Sequence, residues 1–215
     1  NRYEKELLEA HLKRANQRLR SPANYLKVLS LEAAREIEER VGSLIRAPLT
    51  MVVVNFVDLL THQRSESRVL KELAPDEESF RSLTSSWFSH SPIYSMLKAL
   101  SREDVTVIVT TDHGSISGER ATPIYGGREI SQNLRYKYGP SIRCEEREAF
   151  LIRDPKRYRL PSDLPNKRYA ICKEDYYFCY PTHFQKYEKT YKGTFQHGGI
   201  SLEEMVLPVV TLKAK

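Results

Sequence analysis

Five residues in this chain, Asp58, His62, Asp112, His113 and His197, are of the types that grip divalent cations, and their spacing fits two ions. Asp58 and His62 lie four apart in FVDLLTHQ, so in a helix their side chains fall on the same side. A carboxylate and an imidazole so placed make half of a zinc site, and His197, in TFQHGGIS, supplies a third ligand from far along the chain. Three protein ligands with an open fourth position distinguish a catalytic zinc from a structural one. Asp112 and His113, in VTTDHGSIS, would serve a second ion, and Gly114 lets the backbone turn sharply behind them. Two metals about 4 Å apart can stabilise both the attacking and the leaving oxygen of a phosphoryl displacement. Taken singly, His62 also reads as a surface histidine, Asp58 as a helix cap and Asp112 as a turn former. Only the joint placement points to metal chemistry.

That placement depends on the elements. Each aspartate follows an apolar run, over 51–57 (MVVVNFV) and 105–111 (VTVIVTT), which reads as a buried strand. In open α/β sheets reactive groups gather where strands end. Helical spacing predicts an amphipathic helix over 4–20, stopped by Ser21 and Pro22, and a second over 31–44 capped by Ser30, with a short strand over 25–29 between them. Further helices open at Pro75 with Asp76 and at Ser91 with Pro92. Strands alternating with helices predict an α/β fold with a mostly parallel sheet flanked by helices. Over 119–196 the regularity gives way to short apolar pieces, read as an inserted cap or lid with some antiparallel strands. The final run, 205–212, is strand-like but interrupted by Pro208, which favours an edge or a bulge. Ser201 and Glu204 form an S-x-x-E capping box beside Gly198 and Gly199. Its task would be to fix the helix that positions His197, with Glu203 or Glu204 available to orient an imidazole.

Composition bounds the function. The chain has 215 residues, 40% hydrophobic and 29% charged, enough for one substantial core. No apolar run approaches the roughly 20 residues needed to span a bilayer, and the first residues lack the apolar centre of a signal peptide. The expected compartment is the cytoplasm. Cys144, Cys172 and Cys179 have no C-x-x-C spacing and read as reduced thiols. The net charge of +6 is uneven: residues 119–196 carry 16 Lys and Arg against 10 Asp and Glu, together with 10 of the 13 tyrosines. Such a basic, aromatic stretch suits phosphate-bearing ligands with stackable rings, although half-buried strand tyrosines with solvated cations would read the same way.

The runs NFVDLLTH, ELAPDEESFRSLTSSWFSHSP, TTDHGS, NLRYKYG and TFQHGGISLEEMVLP together resemble the PglZ-type domain of the alkaline phosphatase superfamily. Within it they are most similar to the effector domains of Bacteroidetes response regulators associated with type IX secretion. The resemblance implies an alkaline-phosphatase-like α/β fold and a zinc-dependent phosphodiesterase or phosphatase acting on phosphate esters, nucleotide-like ones among them. It makes Asp58, His62 and His197 ligands of one zinc and Asp112 and His113 ligands of the other. It also implies an aspartate and a threonine or serine nucleophile upstream of Asn1, so residues 1–215 are expected to be the domain without its N-terminal portion. One zinc site would then be complete, and hydrolysis by this chain alone weak or absent. Arg135 and Lys137, in the basic segment 133–138, are the expected contacts to substrate phosphate. Expected partners are the phosphate ester, with oligonucleotides as candidates, secretion or signalling proteins, and a second copy of the chain; membrane insertion is not expected. Two other readings compete: a zinc-stabilised regulatory interaction module without catalysis, and nucleic-acid binding through the basic segment, which would show steep salt dependence.

Overall fold

The computed structural model describes residues 3–16, 19–127, 131 and 133–214. The chain opens with α1 (Glu4–Arg14), β1 (Asn24–Val28), α2 (Leu31–Glu39), α3 (Val41–Leu44) and β2 (Thr50–Val54). Four helices follow, α4 (Phe56–Glu66), α5 (Arg68–Leu73), α6 (Glu77–Ser89) and α7 (Pro92–Leu100), leading into β3 (Thr106–Thr110). Short strands then dominate: β4 (Ile116–Gly118), β5 (Arg120–Tyr125), β6 (Tyr136–Pro140), β7 (Arg143–Cys144), β8 (Ala149–Ile152), β9 (Lys167–Cys172) and β10 (Tyr176–Cys179). The last elements are α8 (Phe184–Tyr191), β11 (Thr194–Gln196), α9 (Leu202–Met205) and β12 (Val209–Lys213).

One compact unit comprises residues 1–60, 78–108 and 211–215. In it β1 and β2 pair in parallel, from Asn24 opposite Thr50 to Val28 opposite Val54. Parallel neighbours need a crossover, here α2 and α3, whose Ala34, Ile37, Val41 and Leu44 pack with Val28, Ile93 and Met96 into an apolar core. Phe56 stacks flat on Trp87, with ring centroids 3.7 Å apart. The helices start where their caps dictate. Ser30 Oγ accepts from the Ala33 amide at 3.1 Å. The buried Ser91 Oγ accepts from the Tyr94 amide at 3.4 Å and donates to the Phe88 carbonyl at 2.8 Å. Ser91→Ala removes both bonds and leaves the start of α7 uncapped, so it should cost about 1 kcal/mol, read as a lowered urea midpoint with an unchanged slope.

The second unit comprises residues 61–77 and 109–210. Its core of Ile124, Ile142, Ala149, Ala170, Cys172 and Phe178 lies against the three-stranded antiparallel sheet β6-β9-β8 and the strands β10-β5-β7, where β5 runs parallel to β10 and antiparallel to β7. The three cysteines are free thiols.

Several expectations shift. The first helix ends at Arg14, because Asn16 takes a left-handed conformation (φ 51°) that closes a helix end; residues 17 and 18 lie outside the described residues. The helix predicted over 31–44 breaks at Arg40 into α2 and α3. The strand predicted over 51–57 stops at Val54, and α4 begins at Phe56 with Asn55 accepting the Leu59 amide at 3.0 Å. Asp58 therefore sits in the first turn of a helix, where the helix dipole favours a carboxylate. β3 is not buried: Ile108 is 63% exposed, and its partner strand β12 is exposed throughout. The predicted mostly parallel sheet is not clearly formed: among the described residues there are small sheets in which parallel pairs (β1 with β2, β5 with β10) stand beside antiparallel ones. Chain alternation identified an α/β chain but did not fix how its strands associate. No described helix is long and apolar enough to cross a membrane.

Candidate metal centre

Three histidines from distant parts of the sequence meet in the second unit, and strand register brings two of them there. β4 follows the Asp112–His113–Gly114 segment and β11 precedes His197. The two strands pair antiparallel, with Gln196 opposite Ile116 and Thr194 opposite Gly118. That pairing sets the DHG and HGG segments side by side, and the rings of His113 and His197 stack with centroids 4.1 Å apart and planes 9° from parallel. The third histidine, His62, comes from α4. Its ring meets that of His197 edge-on at 5.2 Å, and the two Nε2 atoms face each other at 3.3 Å.

That last distance is informative. Two nitrogens each ~2.05 Å from one tetrahedral zinc are about 3.3 Å apart. Imidazole suits zinc, and a carboxylate completes a hydrolytic ligand set. Asp58 precedes His62 by four residues on the unbroken helix α4, which puts the carboxylate and the imidazole on one side of that helix. Asp112 contributes differently. Its side chain is 80% exposed, its Oδ1 accepts the His113 amide at 3.1 Å, and its Oδ2 stands 3.8 Å from His113 Nε2. The Nδ1 of His113 lies 3.1 Å from the Gly114 carbonyl oxygen.

A buried arginine aligns α4 with β11. Arg64, two residues beyond His62 and only 4% exposed, directs its fork to the carbonyls of Ala74, Pro75 (2.6 Å) and Gly193 (3.0 Å), and its guanidinium lies 4.7 Å over the Phe195 ring. Gly193 and Phe195 flank Thr194, at the start of the strand that ends beside His197. Sequence reasoning passed over Arg64, although a signal existed: it stands one turn after the buried Leu60, on the covered stripe of the helix.

Arg135 and Lys137, expected to present their charges to a substrate phosphate, do not do so. Arg135 is 0% exposed and Lys137 1% exposed. Strand alternation in β6 turns Lys137 inward, while Tyr136 and Tyr138 take the other face, and Arg135 is buried directly before the strand. Lys137 Nζ donates to the Ser131 carbonyl at 2.8 Å and lies 4.9 Å from the Tyr180 ring centroid; burial pulls its pKa down to about 8. Arg135 forms a two-pronged ion pair with Glu204, Nε to Oε1 at 2.9 Å and Nη2 to Oε2 at 2.5 Å. Burial alone would push the Glu204 carboxyl up, but the hydrogen bonds from Arg135, the Gly199 amide and the Ser201 amide together hold it below its usual value. The expected capping box is present, with Ser201 Oγ accepting the Glu204 amide and the Glu204 side chain accepting the Ser201 amide.

The family model for PglZ, the BREX system PglZ alkaline phosphatase-like domain, matches residues 3–212. This chain belongs to the PglZ family. No curated protein matches it. Membership makes the PglZ domain described here an alkaline-phosphatase-like α/β domain, and it points to phosphoesterase-type hydrolysis of phosphate esters at a metal-dependent site. The three histidines that meet in the second unit are donor types that such a site uses.

Proposed function

We propose that this PglZ domain is a zinc-dependent phosphodiesterase module in which Asp58, His62 and His197 hold one zinc while His113, with Asp112 beside it, serves a second. The observation that carries this reading is the 3.3 Å approach of His62 Nε2 to His197 Nε2, the spacing of two ligands on one tetrahedral ion. A zinc bound there would supply Lewis acidity toward a phosphoryl oxygen. The chain's own residues orient the donors. Asp112 holds the His113 main chain, Arg64 steadies α4 and its His62, and the half-buried placement of His113 and His197 leaves an approach for substrate. The substrate class is a phosphodiester, nucleotide-like ones included, and the physiological setting we propose is an effector domain of a PorX-type response regulator connected with type IX secretion.

The test is metal-dependent hydrolysis. Expressed at its native length and loaded with zinc, the protein should cleave bis(nitrophenyl) phosphate, lose that activity to a chelator and regain it with zinc. Stable zinc uptake without hydrolysis of any ester in a broad panel would replace this reading with a zinc-stabilised interaction module.

A further inference from the structure

Arg135 and Glu204 form a buried ion pair whose connections run to both histidine loops. Taking two charges out of water is costly, and an apolar pair of similar volume can stabilise a core as well or better. The groups bonded to the pair show what hydrocarbon could not provide. The guanidinium occupies one side of the carboxylate, which leaves the other side to accept the Gly199 amide at 2.7 Å and the Ser201 amide at 3.1 Å. Those amides belong to the turn directly after His197. The main-chain carbonyl of Glu204 in turn accepts the amide of Gly114 at 3.0 Å, the residue directly after His113. Arg135 is itself anchored to the connection between β9 and β10 through the Glu174 carbonyl (2.7 Å) and to the start of β10 through the Tyr176 carbonyl. Both glycines are required by this arrangement. A Cβ at Gly199 would stand against the Arg135 guanidinium, and one at Gly114 against the Glu203 carbonyl.

We propose that the Arg135–Glu204 pair is a positioning device that sets His197 and His113 against each other before metal binds, Glu204 holding one loop by its carboxylate and the other by its main-chain carbonyl. The inference rests on the reading of His197 as a metal ligand. It adds that the site is preformed and that its geometry is governed by two residues that never touch the metal. Outer partners of this kind typically change metal affinity about tenfold to hundredfold when altered.

Glu204→Gln discriminates, because each carboxylate oxygen accepts one guanidinium N–H and one backbone N–H, so the amide NH2 opposes donor to donor whichever oxygen it replaces. In this chain, zinc affinity measured by competition with a chelating dye should fall by about tenfold or more, and the visible bands of the cobalt-substituted protein should change. Arg135→Lys, which keeps the charge but loses the planar fork, should produce the same changes in weaker form. Folded variants with wild-type zinc affinity and an unaltered cobalt spectrum would overturn the proposal. Should neither variant fold, hydrogen exchange on the metal-free wild type decides. Gly114, Gly199 and Ser201 amides should exchange slowly without zinc, and fast exchange that slows only on zinc binding would overturn the preformed clamp. A wild-type chain that takes up no zinc would instead overturn the metal reading, while the exchange result still judges the clamp.

Discussion

His197→Ala is expected to weaken zinc binding by roughly a hundredfold or more while leaving the fold intact. Binding free energies of four-ligand protein zinc sites are about 10–16 kcal/mol, so each ligand carries about 3 kcal/mol, and 1.4 kcal/mol is a factor of about ten. His197 is the histidine that both others meet, edge-on with His62 and stacked on His113. Its loss should therefore exceed that of either neighbour. The side chain is half-buried and its strand is held by β4 and by Arg64, so truncation leaves those main-chain links in place. Calorimetric titration with zinc, beside a thermal melt of the metal-free protein, measures both quantities. Unchanged affinity in a folded variant would remove His197 from the ligand set and with it the argument from the 3.3 Å spacing.

Arg64→Ala should be the most damaging single change to stability, at about 4 kcal/mol. Three carbonyls, of Ala74, Pro75 and Gly193, lose their donor at a place where Arg64 is 4% exposed and water has little access. Each unsatisfied buried group costs about 1–3 kcal/mol, and the guanidinium's contact with Phe195 disappears as well. Against a total stability of about 5–15 kcal/mol, that loss should move the urea midpoint by a large part of its value. Arg64→Met, which keeps the apolar stem over Phe195, should recover only the packing share. A midpoint within experimental error of wild type for Arg64→Ala would show that α4 is docked by other contacts.

Much of the candidate site could be proposed from sequence because its chemistry is local. Asp58 and His62 announce themselves by helical spacing, and the DHG and HGG segments by a turn glycine beside a ligand-type side chain. Ser30, Ser91 and the Ser201–Glu204 box were readable as caps for the same reason, since a cap is decided within four residues. What could not be read was decided at a distance. In the alternating stretch Arg135-Tyr136-Lys137-Tyr138, period two separates cations from tyrosines but does not say which set turns inward. Ordinary burial preference puts lysine and arginine outside. Glu204, 69 residues further on, reverses that preference for Arg135 by supplying its counter-charge inside the core. The apolar run of β3 misled for a related reason: hydrophobicity announces a strand but not its cover, and Ile108 ends up facing out. The mixed sheets, likewise, depend on pairings such as Thr194 with Gly118 that no window of sequence contains.

The antiparallel ladder between β4 and β11 limits how this domain can change length. Each imidazole stands at a fixed count from the pairing of Gln196 with Ile116: His197 follows Gln196 directly, and His113 comes three residues before Ile116. Because successive side chains on a strand point to opposite sides, a single-codon insertion or deletion inside either strand would send one ring to the wrong side of the ribbon. Lineages that lengthen or trim the domain should therefore do so away from these short stretches, for instance in the exposed connection around residues 160–166, and leave the spacing on both sides of the ladder untouched.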